Sequence, residues 1–512
     1  MAQTNIRPQK SSARKAKFII TTAMVVIILC IVCWFVYITG ILPKVLTGIS
    51  ITETAADGTS TQSVENISVL EANFKFKEVF SSFSNYYGVT EDNLDETAST
   101  DATTGEGTTY RDMIFQEAAN ELMNCIMVNR SAVANGFMDY SQAARYAELS
   151  SDQISSMATL YGYQTADQFL SAQYGTGMTL RDYKKFMTRE VLTNEYEQYI
   201  RQFTYMPAAD AIQAEYDANS SEYIQADFNY YFVTAATDDS GNVTGLDDAK
   251  AQAQAIADAS TDSASFRQAV MDYLTQSGDD TALDSFADDA DPTLCENYTS
   301  SYTDSMAAGL TDFIFGDDTK VGDTIVIPSD NGAYVAILND RGTDDSTTVA
   351  YRILTLDNNT TLDLTTADQA SIQADAEAQV AALMPAPVDS LGFYNLVKAN
   401  STDTDAIIDG GYNSGITIDK FTSTDDNQLT SDVVAAGEWL FDASRVQGDY
   451  MVSLSEDNST ISVYYFEGSM PAWQNTARNN LINASVNTWS DSIKSTNPQY
   501  TINKGLIERL AY

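Results

Sequence analysis

Residues 312–338 read DFIFGDDTKVGDTIVIPSDNGAYVAIL, and residues 438–468 read EWLFDASRVQGDYMVSLSEDNSTISVYYFEG. The two stretches can be laid over each other. Phe315 meets Phe441, Gly322-Asp323 meets Gly448-Asp449, and an alternating apolar run follows in both. Each reads as a helix end, a Gly-Asp turn and a hairpin. Working outward, FNYYFV (228–233) opens the first unit as a strand, and VAYRILTL (349–356) opens the second. Between opening and ending lie helical patterns, near 247–259 and 263–275 in the first unit and near 366–383 and 388–399 in the second. The chain therefore carries a divergent internal repeat, each copy α+β in the order strand, helices, strand, strand.

Upstream the signals are helical. Thr109 with Asp112, Ser150 with Gln153, Thr165 with Gln168 and Thr179 with Asp182 each read as a capped helix start. Gly162 and Gly175 read as stops, and Pro207 as the first residue of a further helix. Phe74, Phe76, Phe80, Phe83, Tyr86 and Tyr87 crowd one helical segment and run round more than one face. They read both as core and as candidate surface for binding client polypeptides. From Pro471 through Trp489 to Ile493 a last helix carries apolar positions that need a partner outside the second repeat, expected in the N-terminal helices.

Phe18 to Leu42 contains no charged residue, enough for a helix to cross a bilayer. Arg7, Lys10, Arg14, Lys15 and Lys17 precede it with no acidic residue among them, which predicts a cytoplasmic N-terminus and an exported remainder. No small-x-small cleavage site follows, so the span reads as an uncleaved anchor. Cys30 and Cys33 fall inside it. Cys125 and Cys295 lie far apart, and their pairing is left open by sequence.

The expected organisation is an α+β multidomain protein. A basic cytoplasmic tail (1–17) leads to the transmembrane anchor (18–42) and a polar tether (43–66). An all-α module (67–225), repeat 1 (226–345), repeat 2 (346–470) and a C-terminal helix (471–512) follow. A polar stretch at 90–108 reads as a flexible insertion.

Composition removes several classes of function. The chain has 512 residues and a formal net charge of −43. Such a surface repels phosphate backbones, so nucleic acid is not expected as a partner. There is no histidine, hence no His-assisted nucleophile and no imidazole metal ligand. No phosphate loop or clustered ligand set is present, so neither cofactor nor metal is expected.

Three features together resemble the SurA/PrsA-type extracytoplasmic foldases, which join a helical chaperone module to parvulin-type peptidyl-prolyl isomerase domains. They are AADAIQAEYDANSSEYIQADFNYYFV (208–233), FYNLVKANSTDTDAIIDGGYNSG (393–415), and the repeated Phe…Gly-Asp…hairpin ending. The resemblance implies an α-helical chaperone-like module, two parvulin-like repeats and unfolded exported polypeptides as partners. It also implies a catalytic histidine on the first and last strands of each active parvulin. Here those positions fall at Tyr230 and Tyr334 in repeat 1, and at Arg352 and near Ser462 in repeat 2. The family's usual site is therefore absent from both copies. The expected function is a membrane-anchored chaperone or foldase-like binding protein. Its rivals are an active prolyl isomerase with an unusual site and a non-catalytic scaffold for envelope assembly.

Overall fold

The computed structural model describes residues 40–511 apart from 56–57, 101–106, 279–282, 284–285, 287–290, 304 and 425–427, together with Met24 and Ile28. The anchor expected at 18–42 therefore lies almost wholly outside the described residues. Among those described, no helix is long and apolar enough to cross a membrane. The outer end of that segment already belongs to the folded body. Gly40 takes a left-handed φ of 63°, and a Cβ there would sit 2.3 Å from the Gly177 Cα. Pro43 is buried, and Lys44 pairs with Asp182 at 2.6 Å.

The segment expected as a tether is a hairpin. Strands β1 (Thr47–Thr54) and β2 (Thr61–Ser68) pair antiparallel. Further along the chain, β13 (Gln499–Ile502) adds to the free edge of β1, with Ile49 opposite Ile502. Small polar residues disguised a period-two pattern: Ile49, Ile51 and Ile67 point into one core with Phe76, Phe115 and Ile507. The C-terminal region is correspondingly not one helix. Helix Ala472–Ile493 is followed by β13 and a helix at Lys504–Ala511. The polar stretch 90–108 is also pinned. Val89 and Leu94 are buried, and short strands β3 (Thr97–Thr100) and β4 (Gly107–Thr109) pair.

The helical module forms where its caps direct. Ser68, Thr109, Thr165 and Thr179 each accept the backbone N–H three residues on, satisfying a helix-end donor. Thr179 and Asp182 complete a reciprocal capping box. Ser150 does not start a helix. It is buried inside Ala143–Leu160, because the small-residue stripe Ala143, Ala147, Ser150 and Ser151 extends the packing face a further two turns upstream. Helix Leu180–Tyr199 runs on into a π-helical turn at Ile200–Thr204. Trp489, Val486 and Ile482 of the last long helix pack on Val128, Ala132, Leu192 and Tyr196 of the N-terminal helices.

The two repeats share one topology. Repeat 1 comprises β5 (Ile224–Thr234), β6 (Leu294–Tyr298), β7 (Thr324–Ser329) and β8 (Gly332–Thr343), in the antiparallel order β6-β5-β8-β7. Repeat 2 comprises β9 (Thr347–Asp357), β10 (Tyr412–Ile416), β11 (Tyr450–Leu454) and β12 (Thr460–Pro471), in the order β10-β9-β12-β11. The Gly-Asp turn works identically in both. Gly322 N–H donates to the Leu338 carbonyl while Leu338 N–H donates back to Asp323. Gly448, Phe466 and Asp449 repeat this pattern. Each last strand also bulges just after that residue, at Asn339 in one copy and Glu467 in the other. One sheet face packs on helices: Val233, Val335 and Ile337 on Ala253, Phe266 and Val270 in repeat 1, and Leu354, Val463 and Tyr465 on Ala376, Val380 and Phe393 in repeat 2.

Candidate functional site

Side chains alternate across a strand, so register decides what the other face of repeat 1 presents. From β5 it receives Phe228, Tyr230 and Phe232. From β8 it receives Tyr334, Ala336 and Leu338, with Tyr334 directly opposite Phe232. β7 adds Ile325 and Ile327, and β6 adds Cys295, opposite Phe228. The helix Leu310–Phe315 and the segment before it cover part of this face with Ala307, Leu310 and Ile314. Tyr230, Tyr334, Met306, Phe313 and Phe315 remain partly open.

The tyrosines act as a pair. The rings of Tyr230 and Tyr334 stack with centroids 5.3 Å apart and planes 14° from parallel, and Phe232 lies 4.4 Å from Tyr334. The Tyr230 hydroxyl donates to the Met306 carbonyl at 3.4 Å. Burial, and then the adjacent Tyr334 hydroxyl, push the Tyr230 phenol well above its ordinary value. Burial first, then Asp291, likewise pushes the Cys295 thiol up. Tyr230 therefore stays a neutral hydroxyl and Cys295 a neutral thiol. Away from the sheet centre, Phe228, Tyr298 and Tyr302 form a chain of edge-on rings at 5.8 and 5.9 Å, ending at Tyr302, which is 64% exposed.

Chemically this is an apolar, uncharged aromatic shelf on a strongly acidic protein. It can stack planar or ring-shaped groups and offer neutral hydroxyls to a carbonyl. Among the described residues of this face there is no activated nucleophile and no general base.

Repeat 2 does not duplicate it. The shared turns and bulges set Phe228 equivalent to Tyr351, hence Tyr230 to Ile353 and Tyr334 to Ser462. The expected equivalence of Tyr230 with Arg352 is one residue out of register, which places Arg352 on the opposite face. Arg352 corresponds instead to Asn229. Both residues bond to the side chain at or beside the bulge: Arg352 to Glu467 at 2.5 Å, Asn229 to Asn339 at 2.8 Å. Arg352 is also structural. It bonds to Gln202 at 2.9 Å and packs over the rings of Phe203, Tyr394 and Tyr412.

A buried ion pair joins the helical module to repeat 2. Lys398 and Glu195 are fully buried and 3.1 Å apart. Glu195 also accepts from the Ser141 hydroxyl and the Gln142 N–H, while Arg145 donates to the carbonyls of Lys398 and Ser401.

The six aromatics proposed from sequence as client contacts separate. Phe74 and Phe76 are each 1% exposed; Phe74 packs on Tyr174 and Phe186, and Phe76 on Phe115. They are core. Phe80 and Phe83 are half-buried against the same core, and Tyr86 and Tyr87 are exposed at the helix end. Sequence reading singled out Cys295 only as a possible pairing partner of Cys125, and passed over Met306, Tyr298 and Tyr302. The alternation in FNYYFV was the signal that puts Phe228, Tyr230 and Phe232 on one face. Cys125 and Cys295 are both free thiols, one in the helical module and one in repeat 1.

The class defined by this architecture is an α+β multidomain protein, a helical module carrying two copies of one four-stranded unit. No protein-family model matches the chain, and no curated protein matches it. Among solved structures it is similar to the crystal structure of the foldase protein PrsA from Streptococcus pneumoniae. The identity is 11%, covering 81% of this chain and 98% of that one, with a TM-score of 0.15.

Proposed function

We propose that this protein is a chaperone or foldase-like protein that binds unfolded, exported polypeptides and is held at the outer face of a membrane by its N-terminal segment. The observation that carries this reading is the neutral aromatic shelf of repeat 1, partly open on a chain of net charge −43. Stacking surface without charge suits apolar and prolyl side chains of many sequences, and the surrounding acid opposes self-association. Acidic rims also favour basic clients. The charge-free run 18–42 and the basic residues before it support the anchor and its orientation.

One observation favours a second reading, an active prolyl isomerase. A prolyl bond crosses a barrier of ~18–20 kcal/mol and needs no nucleophile, only an apolar seat and polar groups that favour the twisted amide. The Tyr230 and Tyr334 side chains, stacked on the partly open aromatic face, are the support for this reading. The discriminating experiment assays one preparation twice. A binding protein suppresses aggregation of several unrelated chemically unfolded proteins and leaves proline-limited refolding at its spontaneous rate. Saturable acceleration of refolding at substoichiometric protein favours the isomerase. Copurification with a single partner, without aggregation suppression, favours a dedicated assembly scaffold.

A further inference from the structure

A cleft of about 550 Å³ opens where three elements meet: the π-helical turn Ile200–Thr204, the bulged end of β12, and helix Ala472–Ile493. π-Turns and bulges recur at functional sites because each re-aims side chains that a regular element would point elsewhere. Its volume falls in the range of pockets that take small ligands. Phe203, Met206, Pro207, Ile212, Tyr412 and Met470 supply apolar wall.

The polar part of the lining is unusual. Arg352 is neutralised by Glu467. Arg478 also lines the cleft and is only 5% exposed, yet among the described residues it has no carboxylate partner. Its Nη2 donates to Asn475 Oδ1, and its buried Nε has no acceptor. A guanidinium taken out of water without a counter-charge is costly. On this chain, acidic residues outnumber basic ones 71 to 28, so that vacancy is conspicuous.

We infer that the cleft binds a carboxylate borne on an apolar body, with Arg478 as its counter-ion. A guanidinium matches the planar, two-oxygen geometry of a carboxylate. With Arg352 already paired to Glu467, Arg478 is left as a single positive charge, which suits a singly charged ligand better than a doubly charged phosphate, and the apolar wall favours a ligand with a hydrocarbon portion. The C-terminal residue of a polypeptide, apolar in side chain, combines both features. Naming it as the terminus of a client rests on the polypeptide-binding reading above.

The test uses the full chain and an N-acetylated pentapeptide ending in leucine. The free acid, the same peptide amidated, N-acetyl-leucine and inorganic phosphate are titrated separately. The free acid is expected to bind saturably and the amide about tenfold or more weaker. Arg478→Gln is expected to remove that difference. Ala209→Trp, at an exposed cleft-lining position, is expected to weaken the free acid without shifting thermal unfolding. Equal binding of acid and amide overturns the inference, and the comparison needs no variant to fold. Tighter binding of phosphate than of the free acid overturns the carboxylate class. Binding of N-acetyl-leucine with none of the peptide overturns the polypeptide terminus. If no probe binds while the protein still suppresses aggregation, the cleft assignment fails and the chaperone reading stands. If the acid binds selectively and aggregation is unaffected, the assignment stands and that reading fails.

Discussion

Replacing Lys398 by Met should uncouple the helical module from repeat 2. Lys398 and Glu195 are both 0% exposed, and their 3.1 Å contact is the buried charge pair across this junction. The ammonium also donates to the Tyr394 hydroxyl at 2.9 Å and sits over the Phe137 and Tyr394 rings. In the variant Glu195 keeps its bonds from Ser141 and Gln142 but loses its counter-charge. Breaking one side of such a pair costs about 3–5 kcal/mol. At a urea dependence of ~3 kcal/mol per molar, the midpoint for the module and repeat 2 should fall by roughly 1–1.7 M. Burial lowers the Lys398 ammonium below its ordinary value, and Glu195 only opposes that shift. Burying the ammonium therefore costs folding energy, and Lys398→Met with Glu195→Gln should recover most of the loss. The same shift fixes a pH sign. Between the lowered folded value and 10.5 the unfolded chain binds the extra proton, so the Lys398 contribution makes stability rise with pH across that window. Lys398→Met should abolish that rise. Urea titrations of the three proteins at several pH values measure all of this. A single variant within ~0.5 kcal/mol of wild type, or a double variant as weak as the single, would refute the reasoning.

Three further outcomes follow from the same geometry. Burial, then repulsion from Glu190, raises the Glu78 carboxyl from 4.5 to about 7, with Lys75 opposing. Its stabilising contribution is full below pH 4.5 and is lost as pH rises through about 7. Denaturation from pH 5 to 8 should show the decline, and Glu78→Gln should flatten it. Trp489→Ala removes a ring buried against Tyr196 at 5.8 Å and should cost about 3–5 kcal/mol, read as a lower unfolding midpoint. Tyr230→Phe with Tyr334→Phe keeps the stacked rings and drops the hydroxyls. A binding protein should keep client affinity within about twofold, since only the ring faces are needed, whereas a Tyr-based isomerase should lose turnover; client affinity and refolding rate are the two readouts.

Much of the fold was legible because its signals are local. Thr109, Thr165 and Thr179 announced helix starts through a hydroxyl and the N–H three residues on. The Gly-Asp turns announced the repeat because φ near +90° at Gly322 and +97° at Gly448 excludes most other residues. What sequence hid was set by distant pairing. β1 reads as tether until β13, more than four hundred residues later, supplies its edge. The site was half legible for the same reason. Alternation put Tyr230 on a face with Phe228 and Phe232. Its pairing with Tyr334 needed the β5–β8 register, and the one-residue error at Arg352 shows only when the β9–β12 ladder is laid over the β5–β8 ladder. Arg478 gave no warning in sequence, because what sets it apart is the lack of a carboxylate partner among the described residues around it.

Unfolded chains should settle on the open face of repeat 1. Hydrogen–deuterium exchange of the protein, with and without a permanently unfolded client, tests it most directly. Slower exchange is expected in 294–298, 300–315 and 324–338, with the helix-covered strand positions of repeat 2 unchanged. Protection that skips those segments and gathers elsewhere would contradict it.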